Sequence, residues 1–255
     1  MKKLVLGSLM AVLVSQAAGC IITTNDPEYA LINAQWDLQT APVSKTQAGQ
    51  SIPCPPGITT AAVYAQALDA SYRRVGQQFI DLYNCDAHSG VSDPLPPDVY
   101  ETWVELTSGQ GGTVHATSTS VNEASPTEDL FVDVLDVDQT FKTTILEDGG
   151  YFEFDWDLRN AANQPINCGS VSKVAILSTM INNGNYSFDD RFPCDKLSTQ
   201  PYVLSGGLLQ GAYTLEVSAT NAAGQGLGPQ TELLNRSISG KNSVTDLGTV
   251  MVRVD

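Results

Sequence analysis

Basic residues are scarce in this chain: 13 lysines and arginines stand against 28 aspartates and glutamates, for a formal net charge of −15. That deficit excludes nucleic acid and anionic lipid headgroups as direct partners, because both are held by basic patches. Histidine occurs only as His88 and His115, and no two cysteines stand in C-x-x-C spacing, so no zinc-ligand pattern and no metal site is expected. The catalytic strings are missing too: no G-x-S-x-G elbow, no H-E-x-x-H pair and no phosphate loop, hence no cofactor. A Ser-His-Asp triad needs only three residues close in space, so His88 and His115 remain candidate bases for a hydrolase. Aromatic residues make up 7% of the chain and fall mostly in strand-like runs, which leaves few for an exposed sugar platform.

The apolar run at residues 4–14 is too short for a stable membrane span, and Lys2 and Lys3 precede it. Small residues then lead to Ala17-Ala18-Gly19-Cys20. The string resembles a bacterial lipoprotein signal, although leucine is commonest where Ala17 stands. The resemblance implies a signal peptide over residues 1–19, a lipid on Cys20 and a tether over 20–30. Ile21, not aspartate, follows the cysteine, which in enterobacterial lipoproteins implies the outer membrane. Losing Lys2 and Lys3 makes the balance two charges more negative, which serves solubility.

The rest of the chain reads twice. Phe79-Ile80-Asp81-Leu82-Tyr83-Asn84-Cys85-Asp86 returns as Phe188-Asp189-Asp190-Arg191-Phe192-Pro193-Cys194-Asp195. Trp36-Asp37-Leu38 matches Trp156-Asp157-Leu158, Cys54 matches Cys168, and 129–138 aligns with 246–255. Four cysteines allow three connectivities. The duplication selects Cys54–Cys85 and Cys168–Cys194, since pairing across repeats would break their equivalence. Each closed loop is worth about 3–4 kcal/mol in the chain-entropy treatment. The expected organisation is two domains, 31–138 and 151–255, with a connection at 139–150 that ends in the turn signal Glu147-Asp148-Gly149-Gly150.

Period two dominates both halves. Phe152, Phe154 and Trp156 alternate with Glu153 and Asp155, and Tyr213, Leu215 and Val217 alternate with Thr214 and Glu216. Such runs, separated by Gly, Asn, Asp, Ser and Pro clusters, predict an all-β chain of tandem disulfide-bonded β-sandwiches. Residues 61–75 are the best helix candidate, but their match at 172–179 reads as a strand, so 61–66 are predicted as strand and 67–76 as loop or a short helix. Leu208-x-x-Gly211-x-Tyr213-x-Leu215-x-Val217, with Leu95-x-x-Asp98-x-Tyr100-x-Thr102-x-Val104 in the first half, resembles prealbumin-like or carboxypeptidase-regulatory-like sandwiches. Immunoglobulin-like domains use similar strings. The resemblance implies a tyrosine packed inward with its hydroxyl on a nearby backbone group, and a glycine position needing positive φ, which Asp98 tolerates.

Recurrence separates framework from function. Trp36 and Trp156 recur and are predicted core anchors. Trp103 does not recur, because Glu216 holds the matching site, and it lies on the strand face opposite Tyr100 and Val104. Trp103 and the equally unmatched His88 are the candidate binding residues. Asp81 and Asp190 recur beside the disulfides, which suggests bonds to a turn; a Ca²⁺ site is the alternative, although no carboxylate group fits the D-x-[DN]-x-[DN]-G loop. The functional expectation is a non-enzymatic, membrane-anchored envelope module for binding, adhesion or assembly, with an envelope protein or polysaccharide as partner. The alternatives are an accessory carbohydrate-binding module and a calcium-stabilised surface module. Loops at 89–97, 108–127 and 220–245 are the expected ligand-bearing segments.

Overall fold

The computed structural model describes Tyr29 and residues 31–71, 73–119, 131–134, 139–195 and 202–255. Cys20, the 1–19 signal and nearly all of the tether lie outside them. Among the described residues, eight strands form the first half: β1 (Ile32–Gln39), β2 (Thr60–Leu68), β3 (Arg74–Asn84), β4 (Ser89–Val91), β5 (Asp98–Thr107), β6 (Val114–Thr117), β7 (Phe131–Val134) and β8 (Gln139–Leu146). Eight form the second: β9 (Gly149–Asn160), β10 (Lys173–Met180), β11 (Asn183–Pro193), β12 (Val203–Leu204), β13 (Leu208–Leu209), β14 (Gly211–Thr220), β15 (Thr231–Ile238) and β16 (Ser243–Val254). The one helical element among the described residues is a 3-10 turn at Cys85–Ala87.

Each half is two layers. In the first, β3-β2-β5 continues to β6 and β7, which share the far side of β5, and faces β4-β1-β8. In the second, β11-β10-β14-β15 faces a sheet in which β9 pairs with β12 and β13 on one side and β16 on the other. Alternation decides which residues go inside. Ile32, Ala34, Trp36 and Leu38 of β1 meet Ala61, Val63, Tyr100 and Val104; Phe152, Phe154, Trp156 and Leu158 of β9 meet Val174, Ile176, Tyr213 and Val217. Burying such side chains contributes about 1.5–3 kcal/mol each, which is the main force holding each pair of sheets together.

The two halves use the same local chemistry. The disulfides are Cys54–Cys85 and Cys168–Cys194. Cys85 N–H donates to Thr59 O and Cys194 N–H to Ser172 O, both at 3.0 Å. Tyr100 Oη donates to Pro96 O at 2.9 Å and Tyr213 Oη to Leu209 O at 2.6 Å, so each inward tyrosine pins the chain four residues upstream. Ser92 Oγ accepts Ile32 N–H at 2.9 Å and Ser205 Oγ accepts Phe152 N–H at 3.0 Å, a second repeated latch. Trp36 is a core residue whose Nε1–H donates to Cys85 O at 2.9 Å.

Four expectations are corrected. Residues 139–150 are not a connection: Gln139–Leu146 is β8, paired in parallel with β1 from Ile32↔Gln139 to Gln39↔Leu146. The turn shrinks to Glu147-Asp148, and the glycines open β9, where a Cβ on Gly149 would collide with Leu208 O and one on Gly150 with Ser243 O. They are needed for close approach of neighbouring strands. The counterpart of β16 is therefore β8, not 129–138, since β9 and β16 pair in parallel as β1 and β8 do. Asp98 is not among the residues with positive φ; it opens β5 with its Oδ1 accepting Val99 N–H at 2.8 Å. The 61–66 strand extends to Leu68, and β3, paired antiparallel with it, begins at Arg74.

Candidate ligand cleft

Trp103 points outward from β5, as the alternation of that strand requires, and is half-buried. Directly opposite it on β2 stands Tyr64, and the two rings stack 4.9 Å apart and 3° from parallel. The Arg74 guanidinium lies over the Trp103 ring, 4.7 Å from its centroid. Two bonds hold the guanidinium there, Nε to Glu101 Oε2 at 2.6 Å and Nη2 to Glu101 Oε1 at 2.9 Å. Trp103 Nε1–H donates to Glu105 Oε1 at 3.3 Å. Burial raises the Tyr64 hydroxyl, and its bond to Glu105 adds to the shift. At the paired positions of the second half stand Leu177 and Glu216 instead.

Arg74, Glu101, Trp103 and Glu105 line a cleft of about 560 Å³ at the boundary between the halves. β6 supplies one wall, and Tyr202, Leu204, Glu153 and the β15–β16 turn supply the other. Burial pushes the Tyr202 hydroxyl up to about 12, helped by the neighbouring Glu153 and Glu101 charges. Burial also raises the Glu153 carboxyl, with Asp246 across the β9–β16 pairing contributing further.

A polar joint fixes the two walls. Glu147 accepts from His115 Nε2 at 2.7 Å and from Lys241 Nζ at 2.5 Å. Burial on its own would raise the Glu147 carboxyl, but its bonds to Lys241 and His115 outweigh burial and hold it below the usual carboxylate range. Asn242, 3% exposed, bridges the halves: its Oδ1 accepts Leu146 N–H at 2.7 Å and its Nδ2 donates to Thr117 O at 2.9 Å. Further along the boundary Ala41 N–H donates to Asp148 Oδ1 and Tyr186 Oη to Pro42 O, around an apolar cluster of Ala41, Leu146, Tyr151 and Leu204.

The structure does not bring His88 to Trp103. His88 closes the 3-10 turn with φ 57, its Nδ1 3.3 Å from Trp36 O, and it borders a separate concavity with Gln35, Lys142 and Thr144. Asp81 Oδ1 accepts Asp93 N–H at 3.3 Å and Asp190 Oδ2 accepts Gly206 N–H at 3.0 Å, so both recurring aspartates bond to turns. Among the described residues no group of three or more His, Cys, Asp or Glu is placed to hold a metal. The 89–97, 108–127 and 220–245 segments contain strands β4, β6 and β15. Sequence reasoning passed over His115, Lys241 and Asn242 as cleft residues. For His115 the signal was present, since it has no counterpart in the second half.

No known protein-family pattern matches the chain. No curated protein matches it either. Among solved structures it is similar to the minor pilin GBS52 of Streptococcus agalactiae, at 11% identity and a TM-score of 0.32, over 89% of this chain and 96% of that one. It is also similar to the fimbrial anchor protein Mfa2 of Porphyromonas gingivalis, at 12% identity and a TM-score of 0.27, over 81% and 83% of the two chains.

Proposed function

We propose that the protein is a non-enzymatic cell-envelope module, held to the outer membrane by a lipid on Cys20, that binds its partner in the cleft beside Trp103 during adhesion or assembly. The observation that carries this reading is where the asymmetry of the repeat falls. Recurring residues are spent on packing, disulfides and latches. Trp103, which has no counterpart, builds the cleft together with β6, whose place in the second half is held by the single Thr220–Gly226 bridge. Ligand sites favour such concavities at boundaries between packed units. The halves act as tandem domains whose boundary falls at Glu147-Asp148, because β8 belongs to the first sheet system.

Binding of solubilised envelope fractions should quench or shift Trp103 fluorescence. The reading predicts that Trp103→Ala weakens retention at least tenfold without lowering the cooperativity of unfolding; unchanged retention would refute it. The anchor is tested separately: Cys20→Ala should abolish palmitate labelling and release the protein from membranes, and persistent labelling would refute the lipid site. A second reading, an accessory carbohydrate-binding module, is favoured by one feature, an aromatic pair bordered by the Glu101 and Glu105 carboxylates. A glycan array that is blank for the wild type would remove it.

A further inference from the structure

The outward faces of the two halves differ in chemistry. In the first, β3, β2 and β5 place Ile80, Tyr64 and Trp103 in one cross-strand row and Leu82, Ala62 and Glu105 in the next. Side chains paired in this way share a face, with Cβ atoms about 4.5–5.5 Å apart. Phe79, Val63 and Tyr100 pack into the core, so these two rows point outward. The corresponding positions of β11, β10 and β14 hold Asp189, Leu177 and Glu216, then Arg191, Ala175 and Ser218. There Arg191 Nη2 pairs with Asp189 Oδ2 at 2.8 Å. The same framework therefore carries an ion-paired outer face in one half and an apolar one in the other.

Packing does not explain the apolar version. Ile80 is 50% exposed and Leu82 42%, and both stand on β3, which pairs only with β2 and forms a sheet edge. Charged side chains ordinarily protect such an edge, as Asp189 and Arg191 do on β11. Tyr64 and Arg74 already take up the Trp103 ring, so the surface left to a partner is aliphatic and centred on Ile80 and Leu82. Glu105 ends the second row. It accepts from the neutral Trp103 and Tyr64 groups and carries no ion pair among the described residues. An exposed apolar patch bordered by an uncompensated carboxylate fits a partner with aliphatic side chains beside a lysine or arginine. A second copy would instead bring the same carboxylate and a net charge of −15 against it.

We propose that the outer face of β3, β2 and β5 docks a protein partner, a segment whose aliphatic side chains cover Ile80 and Leu82 and whose lysine or arginine reaches Glu105. This goes beyond the cleft reading: Ile80 and Leu82 lie outside the cleft lining, and either site can fail without the other. The second half supplies the perturbation. Ile80→Asp with Leu82→Arg gives β3 the outward residues that β11 carries at the same positions of the same framework.

The test uses the full-length protein in nanodiscs of zwitterionic lipid, because detergent would cover an apolar face; empty discs are the blank. Three labelled peptides are titrated: alternating leucine and lysine, alternating leucine and glutamate, and alternating serine and lysine. The leucine–lysine peptide should bind at least tenfold tighter than either of the others. The Ile80→Asp, Leu82→Arg variant should lose at least tenfold of that affinity, and Leu82→Ser takes its place if the double variant does not fold. Glu105→Gln should narrow the gap between the lysine and glutamate peptides. Equal binding of the three peptides overturns the proposal, as does an unchanged affinity in the β3 variant or an unchanged gap in Glu105→Gln. A dimer in sedimentation that the β3 variant abolishes overturns it in favour of a second copy, and glycan binding that the same variant abolishes overturns it in favour of a saccharide. If no peptide binds yet envelope retention depends on Trp103, the docking face fails and the cleft reading stands. If the leucine–lysine peptide binds through β3 and envelope retention ignores Trp103, the cleft reading fails alone.

Discussion

Replacing Asn242 with alanine should loosen the joint between the halves more than any comparable surface change. Asn242 is 3% exposed and holds φ at 57°, in the left-handed region where asparagine is tolerated better than alanine. Its Oδ1 is the acceptor for the buried Leu146 N–H, and its Nδ2 donates to Thr117 O. Removing the acceptor orphans a buried N–H at about 1–3 kcal/mol, and losing the second bond costs about 0.5–1.5 kcal/mol. Left-handed strain on a Cβ without a compensating side-chain bond adds about 1–2 kcal/mol. Asn242→Ala should therefore destabilise by roughly 3–6 kcal/mol. Asn242→Gly removes the strain and keeps the orphaned N–H, so it should recover about 1 kcal/mol of that loss. Urea unfolding followed by near-ultraviolet circular dichroism of the tryptophans measures both. Two variants within 0.5 kcal/mol of wild type would refute the bridge, and a glycine variant less stable than alanine would refute the strain argument.

Acid should act through Glu147. Its folded carboxyl titrates below its unfolded value, so its stabilisation is complete above the ordinary carboxylate range and disappears as pH falls through the folded value. From pH 5 downward the wild type should lose more stability than Glu147→Gln, and parallel pH–stability curves would contradict the joint. Tyr100→Phe and Tyr213→Phe each remove a hydroxyl bond to a carbonyl four residues upstream, about 0.5–1.5 kcal/mol in thermal melts, and Tyr213→Phe should cost more because its hydroxyl also bonds Tyr186. A larger loss for Tyr100→Phe would contradict this. Trp36→Ala should cost about 3–5 kcal/mol as a large-to-small core change. The half-buried Trp103→Ala should cost clearly less, and a reversed order would place Trp103 in the framework.

The framework was legible wherever two signals coincided. Alternation placed Trp36, Tyr100 and Trp103 on the correct strand faces, and recurrence supplied an independent check on Trp36 and Tyr100. Where only one signal existed, the reading slipped. Residues 129–138 and 246–255 both begin Asp-Leu and end Val-Asp; a period of two matches any strand to any other, and only the parallel pairing of β8 with β1 identifies the true counterpart of β16. β15 gave no usable pattern, because most of its residues are exposed on both faces of an edge strand. The four residues of β6 are too few to establish a period.

The cleft was illegible for a different reason, which bears on how such a chain acquires function. Its contacts join residues far apart in sequence: Glu147 to Lys241, Thr117 to Asn242, Arg74 to Glu101 across β2. No local pattern encodes a partner on another strand. What sequence could say is where divergence is tolerated. In a duplicated sandwich the inward faces of both copies are constrained by the same packing, so change accumulates on outer faces and at the boundary. There a substitution such as Trp103 against Glu216 adds a contact without opening a core. Two copies joined through Glu147 and Asn242 place one such outer face against the other half's strand ends, and a concavity results that neither copy holds alone. A binding site at that seam depends on both halves keeping their fixed orientation. The same substitutions that loosen the joint should therefore weaken ligand binding, even though Asn242 bonds only to the protein.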